Sequence, residues 1–460
     1  MAHAPRPRPA SGEAASTVGG ATPLCPVCRR RAGAADLLGG SGLTDDLVRL
    51  VTANMPGWQP ELGLCRECVR RFAKAHAYLV AHHPRLAGEA QGILPTPLRL
   101  GALERYKGRG VTVAFLDSGF HAHPDLVGPR DRILRYVDVT SPRGGRREDL
   151  EQPEESAWHG MMTSVVACGN GRLSGGLYRG LASEAELVLV KCGSIRRIAH
   201  DDIRRGFEWV LRNRKRYNIR IVNVSCGGDY EASYLRDSLS QAADRATREG
   251  LLVCAAVGNL GHLPHHPVLP PASAPSALTV GGLDDKNRLA FSGYDVYHSS
   301  YGPTVDGLQK PEVIAPGIWV AAPILPGTPT ARQAHLLMQL AAAKEEELRH
   351  LLSENRGIDP QLDAAAGEAP AALRSRLEAQ RRAQNVISEH YKHVDGTSFA
   401  APIVASVAAQ MLEAQPALRP EQLKRLLITT ARRLPEVDVD RQGWGVIDAE
   451  AAVLAAASTT

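Results

Sequence analysis

The feature that most constrains the fold is a rhythm between residues 111 and 317. Six apolar runs of strand length recur there, at 111–116, 187–190, 221–224, 251–257, 277–281 and 313–317. Val, Ile and Leu dominate most of them, and several close in a turn of small or polar residues. Helical patterns around 201–216 and 234–249 separate successive runs. Strands that alternate with helices bury both faces of a sheet. The pattern therefore predicts an α/β domain with a mostly parallel sheet flanked by helices.

In such a sheet, groups at the carboxyl ends of the strands face the ligand crevice. Asp117 follows the first run, Ser225-Cys226-Gly227 the third and Gly258-Asn259 the fourth. A further helical pattern opens at Trp158-His159-Gly160. Near the C-terminus, Gly396-Thr397-Ser398 precedes the small-residue apolar run 399–412, which reads as a buried helix with Ser398 at its N-terminal end. A hydroxyl placed there meets free backbone N–H groups and the positive end of the helix dipole. Serine before a helix is commonly no more than a cap. A nucleophile also needs a base to take its proton and a carboxylate to hold that base in one tautomer. Asp117, His159 and Ser398 offer those chemistries in one of the known chain orders. Each has a plainer rival: a turn cap for Asp117, a polar loop residue for His159. His121, His123 and Asp125, on the loop after Asp117, read as surface residues.

The segments Val113-Ala-Phe-Leu-Asp117-Ser-Gly119, His159-Gly160 and Gly396-Thr-Ser398-Phe-Ala-Ala-Pro402 resemble the Asp, His and Ser blocks of the subtilases, the subtilisin-like serine peptidases. Ser225–Gly227, Ala255–Asn259, Leu278–Gly281, Lys310–Gly317 and Gly443-Trp444-Gly445 match supporting blocks. The resemblance covers roughly 110–325 and 392–457. It implies a subtilisin-like three-layer fold and a serine endopeptidase acting on protein or peptide substrates through an acyl-enzyme. Ser398 would be the nucleophile, His159 the base and then acid, and Asp117 its orienting carboxylate. The Asn259 side chain and the Ser398 N–H would form the oxyanion hole. Ser225, Cys226 and Gly227 would pair with the substrate backbone and, with Ala255, Ala256, Val257 and Gly258, wall the primary side-chain pocket. Two departures carry expectations. Met161 stands where the family usually has Thr, which predicts weaker polar support beside the His helix. Cys226 replaces a common apolar residue, which predicts sensitivity to thiol reagents. Gly169-Asn170-Gly171 matches no calcium loop, so no calcium site is assigned. From a different class, a peptide-binding or scaffold protein that cleaves weakly is the rival reading, and Met161 is its one hint.

Two further regions lie outside that resemblance. Cys25-Pro-Val-Cys28 and Cys65-Arg-Glu-Cys68 are two C-x-x-C clips, the ligand count and local spacing of a structural four-cysteine zinc site. Disulfides and a redox pair compete with zinc, but a reducing compartment disfavours the first and no surrounding βαβ pattern supports the second. Helices are expected around 45–53 and 69–80. Cys168, Cys192, Cys226 and Cys254 read as buried free thiols. Residues 1–100 hold twelve Lys/Arg against seven Asp/Glu, which accounts for the whole +5 of the chain. Zinc-bound thiolates would offset part of that excess, which argues against a nucleic-acid partner. The module could instead dock a protein partner or act as a lid. Leu336, Leu337, Leu340, Leu348, Leu351 and Leu352, then Leu373, Leu377, Ile387 and Tyr391, read as a helical hairpin inserted at 326–391. The expected organisation is a disordered tail at 1–20, a zinc module at 21–85, a linker at 86–110 and a peptidase domain at 111–460. No run reaches the roughly 20 apolar residues of a membrane span, and the N-terminus has no signal-peptide pattern. The expected location is the cytoplasm, with no membrane partner.

Overall fold

Residue by residue, the computed structural model describes 24–33, 36–39, 42–82, 92–291 and 293–459. The tail expected over 1–20 lies outside the described residues, as does the start of the connector at 86–91. In the N-terminal module, Thr44 caps helix α1 (Asp45–Asn54) by accepting from the Leu47 N–H. Helix α2 (Arg66–His82) follows directly from Cys65. Both bury their apolar stripe in one small cluster around Val51, Trp58, Leu64, Phe72 and Leu79. That cluster also takes in Leu98, Leu289 and Ala290. The described part of the connector is therefore not a loose tether. Thr96–Arg99 forms a buried helical turn seated on the main body.

The main sheet is built from β1 (Thr112–Asp117), β2 (Ile133–Asp138), β3 (Glu186–Lys191), β4 (Ile219–Val224), β5 (Leu252–Ala256), β6 (Leu278–Asp284) and β7 (Val313–Pro316). Their order is β7-β6-β5-β4-β1-β3-β2, and all of these pairings are parallel. Asp295–Val296 adds a short antiparallel edge beside β6. Six of the seven strands fall on the six apolar runs. The seventh, β2, has no counterpart among them. It is an edge strand whose Leu134 and Arg135 face solvent, so only part of it reads as apolar. From β1 the chain builds β2 and β3 on one side and then returns to lay β4 on the other. Asp117 thus ends the strand at which the sheet switches direction, where such sheets open a crevice. Helix α3 (Ala157–Cys168) lies on one face; α4 (His200–Asn213) and α5 (Ser238–Arg248) cover the other.

The insertion begins and ends on a ribbon, β8 (Val320–Pro323) paired antiparallel with β9 (Tyr391–Val394). Between these strands run four helices rather than a hairpin of two: α6 (Pro329–Ala342), α7 (Leu348–Glu354), α8 (Pro360–Ala365) and α9 (Pro370–Ala383). Leu336, Leu337, Leu340, Leu352, Leu373 and Leu377 close on one another in a separate core. Ile387 and Tyr391, read as the end of the second helical pattern, lie beyond α9, and Tyr391 opens the returning strand. Pro360 and Pro370 set the last two helix starts, while the break between α6 and α7 falls at the acidic run Glu345–Glu347. Each proline starts a new helix, where its missing N–H costs nothing.

Helix α10 (Thr397–Ala414) runs through the centre of the molecule, buried from Phe399 to Leu412. It packs against β4 to β7, α3 and the C-terminal helix α12 (Ala449–Ala457), with α11 (Pro420–Thr429) alongside. A helix buried all round needs small residues, and the run Ala-Ala-Pro-Ile-Val-Ala-Ser-Val-Ala-Ala provides them. Among the described residues, no helix is long and apolar enough to cross a membrane.

Candidate active site

Asp117 is fully buried at the carboxyl end of β1. Its Oδ1 accepts from the Ser118 N–H at 2.7 Å and lies 2.7 Å from His159 Nδ1, while Oδ2 accepts from Thr163 Oγ1 at 3.2 Å. A carboxylate facing Nδ1 assigns the ring proton there and leaves Nε2 as the basic nitrogen. Burial pulls the His159 ring down, but the Asp117 charge and hydrogen bond outweigh it, so the imidazole is raised above the ordinary histidine range. Gly160 makes the pairing possible. A Cβ there would sit 2.1 Å from the Gly119 carbonyl oxygen and push α3 off β1.

Met161 does not weaken this support. Its side chain is fully buried in the core, and the hydroxyl beside Asp117 comes from Thr163 instead. Thr163 was not singled out from the sequence. It stands four residues after His159 on the same helix face, a spacing that signals the contact.

Ser398 sits in the first turn of α10. Gly396 precedes the helix at φ +140°, a conformation that only glycine adopts readily. Its N–H donates to the Gly317 carbonyl at 2.7 Å. Asn259 is locked to the same turn, its Oδ1 accepting from Thr397 N at 3.0 Å and Thr397 Oγ1 at 2.8 Å. With Oδ1 so engaged, the Nδ2 end of the amide is the one that can donate elsewhere. Ser398 Oγ donates to the Ser225 carbonyl at 3.1 Å, and Ser225 Oγ donates to the Ser398 carbonyl at 2.8 Å. Pro402 explains the second bond. Lacking an N–H, it leaves the carbonyl four residues back without its helical donor, and Ser225 fills the vacancy. The Phe399 ring lies 5.9 Å from the His159 ring, so the serine turn faces the Asp117–His159 pair, but the Ser398 hydroxyl is turned to the Ser225 carbonyl rather than bonded to His159.

The other expected groups surround that turn. Ser225 and Ala255 are buried, while Cys226 and Ala256 are half-buried where β4 and β5 end. Val257 continues β5 by donating to the Val280 carbonyl at 3.1 Å, and the Gly258 N–H donates to Thr397 Oγ1 at 3.2 Å. Gly227 lies on the same segment as Ser225, and the following Gly228 N–H is held by the Pro270 carbonyl. Burial, then the Asp117 charge, pushes the Cys226 thiol well above its ordinary range. A raised thiol has a smaller thiolate fraction, which works against the expected thiol sensitivity.

His121, His123 and Asp125 are not surface residues. All three are buried: the 147–150 segment lies against His121, and the insertion's returning strand reaches His123 and Asp125. Tyr391 donates its hydroxyl to Asp125 Oδ2 at 2.5 Å, and the Leu173 N–H donates to Oδ1 at 3.1 Å. Burial raises the Asp125 carboxyl above its usual range, with the Tyr391 hydrogen bond as the largest opposing effect.

Cys25, Cys28, Cys65 and Cys68 converge so that their sulfurs lie within 4.8 Å of one another. Cys25 and Cys68 Sγ are 3.8 Å apart and Cys28 and Cys65 Sγ 3.6 Å apart. A disulfide needs about 2.05 Å. Two sulfurs bound tetrahedrally at about 2.3 Å from one ion would stand about 3.8 Å apart, so the four thiols could hold a metal ion. The remaining thiols, Cys168, Cys192 and Cys254, are buried singly.

The subtilase family model matches residues 108–445 of this chain. Serine protease AprX of Bacillus subtilis (strain 168) is 30% identical over 363 residues, 75% of this chain and 66% of that protein. Subtilisin BL of Lederbergia lenta is 32% identical over 216 residues, 46% of this chain and 65% of that protein. The chain thus spans just under two thirds of the length of these curated relatives. A solved protease of Pseudoalteromonas arctica shares the fold, with a TM-score of 0.52 at 22% identity, covering 80% of this chain and 95% of that one.

Proposed function

The chain belongs to the subtilase family, and from that membership we propose that it is a serine endopeptidase that cleaves peptide bonds in proteins. The observation that carries this reading is the buried Asp117 carboxylate 2.7 Å from His159 Nδ1, with Ser398 in the first turn of a buried helix whose Phe399 ring lies 5.9 Å from the His159 ring. For reaction the Ser398 hydroxyl turns from the Ser225 carbonyl toward His159, and Nε2 takes its proton as Oγ bonds to the scissile carbonyl carbon. Asp117 holds the ring and favours the imidazolium that forms. The Ser398 N–H and Asn259 Nδ2 donate to the developing oxyanion. His159 then protonates the leaving amine, and water, deprotonated by the same ring, hydrolyses the acyl-enzyme.

Substrate would lie as an added strand along Ser225, Cys226 and Gly227, its side chain entering beside Ala255 to Gly258. The paired hydrogen bonds between Ser225 and Ser398 keep that strand and the nucleophile in one register. In the N-terminal module the four cysteines would hold Zn²⁺ in a closed, structural site, since all four ligand positions are filled by the chain.

Labelling by a fluorophosphonate probe tests the chemistry. The folded full-length chain should form one adduct, on Ser398, and Ser398→Ala should form none and lose turnover of a peptide library. Absence of any adduct on the folded wild-type chain sinks the peptidase reading and favours the scaffold alternative.

A further inference from the structure

Arg99 is a buried charged side chain outside the proposed catalytic groups that makes four hydrogen bonds. It is among the largest fully buried side chains, and its ion-pair partner Asp285 is buried too. Nε and Nη2 form a bidentate pair with Asp285 at 2.7 Å each. Nη1 donates to the Trp319 carbonyl at 2.7 Å, and Nη2 also donates to the Ile318 carbonyl at 2.8 Å. All four of these bonds converge on one turn and its support.

That turn is strained and adjoins the nucleophile. Trp319 has φ +59°, a left-handed conformation that bulky side chains avoid. Such residues persist where their surroundings over-determine them, and Arg99 supplies that constraint from below. Just before the turn, the Gly317 carbonyl receives the Gly396 N–H. Within it, the Trp319 N–H donates to Asp395 Oδ1 at 3.4 Å. Asp395 and Gly396 are the last residues before Thr397 and Ser398.

The other end of Arg99 reaches the cysteine module. Its carbonyl accepts from Arg71 Nη2 on α2, the helix that carries Cys68. Leu98 beside it belongs to the module's apolar cluster. The Leu289 N–H, close to Asp285 in sequence, donates to Asn54 Oδ1 of α1 at 2.8 Å. One residue therefore links the folded module to the segment that aims Ser398.

We propose that Arg99 is a positioning residue for Ser398 and that through it the folded cysteine module sets turnover. This rests on the peptidase reading above. Arg99 touches neither substrate nor reacting atoms, so its effect is geometric. Small displacements of a nucleophile cost up to about a hundredfold in rate. An apolar pair of similar volume could replace the ion pair alone, but it would leave the Ile318 and Trp319 carbonyls without the donors that Arg99 gives them.

The test uses the full-length protein with Arg99→Lys and with Arg99→Met combined with Asp285→Leu. The double variant removes the buried charges together, so neither is left unpaired; Arg99→Lys keeps a cation beside Asp285, and circular dichroism of each variant verifies that it is folded. The kcat value per titrated active site should fall between about tenfold and a hundredfold in the double variant, with KM little changed. Arg99→Lys should recover part of the loss. Hydrogen exchange at residues 395–399 should speed up in the double variant, a readout that needs no activity. Stripping the metal with a chelator should lower wild-type kcat per site but add little to the double variant. Unchanged kcat per site with normal exchange at 395–399 overturns the proposal, as does a chelator effect that adds in full to the double variant. A wild-type chain that takes no fluorophosphonate sinks the peptidase reading instead, and the exchange measurement still decides whether Arg99 fixes the turn.

Discussion

The helical insertion returns directly into the Ser398 turn and the cysteine module is joined to that turn through Arg99, and the two are held in opposite ways. The module is small and cannot bury a core alone. It completes its apolar cluster with Leu98, Leu289 and Ala290 and gathers four thiols at one point. The insertion carries enough leucine to close on itself, and a two-stranded ribbon with the Tyr391 contact ties it to the body. Size explains the difference, because short segments need a metal or a neighbour where longer ones can bury their own surface. The consequence is directional. Disturbing the module should reach the body through shared core and Arg99, whereas disturbing the insertion should stay mostly within it.

Metal removal is the largest expected effect. Structural zinc sites bind with about 10–16 kcal/mol, and that binding energy is folding energy. Chelation, or Cys68→Ser, should therefore unfold residues 24–82, which hydrogen exchange would report as lost protection there and at Leu289 and Ala290. Protection that survives in metal-free protein would break the contrast from the module's side. Leu337→Ala comes next. Leu337 is fully buried in α6, and such truncations cost about 2–5 kcal/mol. The loss should appear as faster exchange across residues 329–383 with peptide turnover unchanged. A matching fall in turnover would show that the insertion is coupled to the serine as closely as the module.

These differences are unequally legible in the sequence. The four-cysteine site is readable because each C-x-x-C clip is local, and the sheet because its strands repeat. Asp117, His159, Ser398 and Asn259 stand out because each closes or opens an element. Thr163 could be found from its helical spacing to His159. The Arg99–Asp285 pair joins residues 186 apart and Tyr391–Asp125 residues 266 apart. No local pattern announces either. The burial of His123 and Asp125 escapes for the same reason, since the strand that reaches them arrives from the far side of the insertion. Strand β2 escapes because an exposed edge breaks the apolar pattern that marks its neighbours.

Tyr391→Phe is the smallest change and tests the insertion's own anchor. Removing a hydroxyl from a buried carboxylate costs about 1–3 kcal/mol, and the cost should depend on pH. The Asp125 carboxyl is raised in the folded chain, so its protonated form fits the site better than its ionised form. The stability this contributes is complete below the unfolded carboxyl range and is lost as pH rises through the raised value. The Tyr391 hydroxyl opposes that rise by stabilising the carboxylate. Without it, Asp125 should move further up and the loss should extend to higher pH. Denaturant midpoints should therefore separate variant from wild type more at neutral than at acid pH. A penalty that is the same at both would mean that the hydroxyl does not discriminate between the two forms of Asp125. The ribbon pairing of Val320 with Val394 would then be the main tie between the insertion and the serine turn.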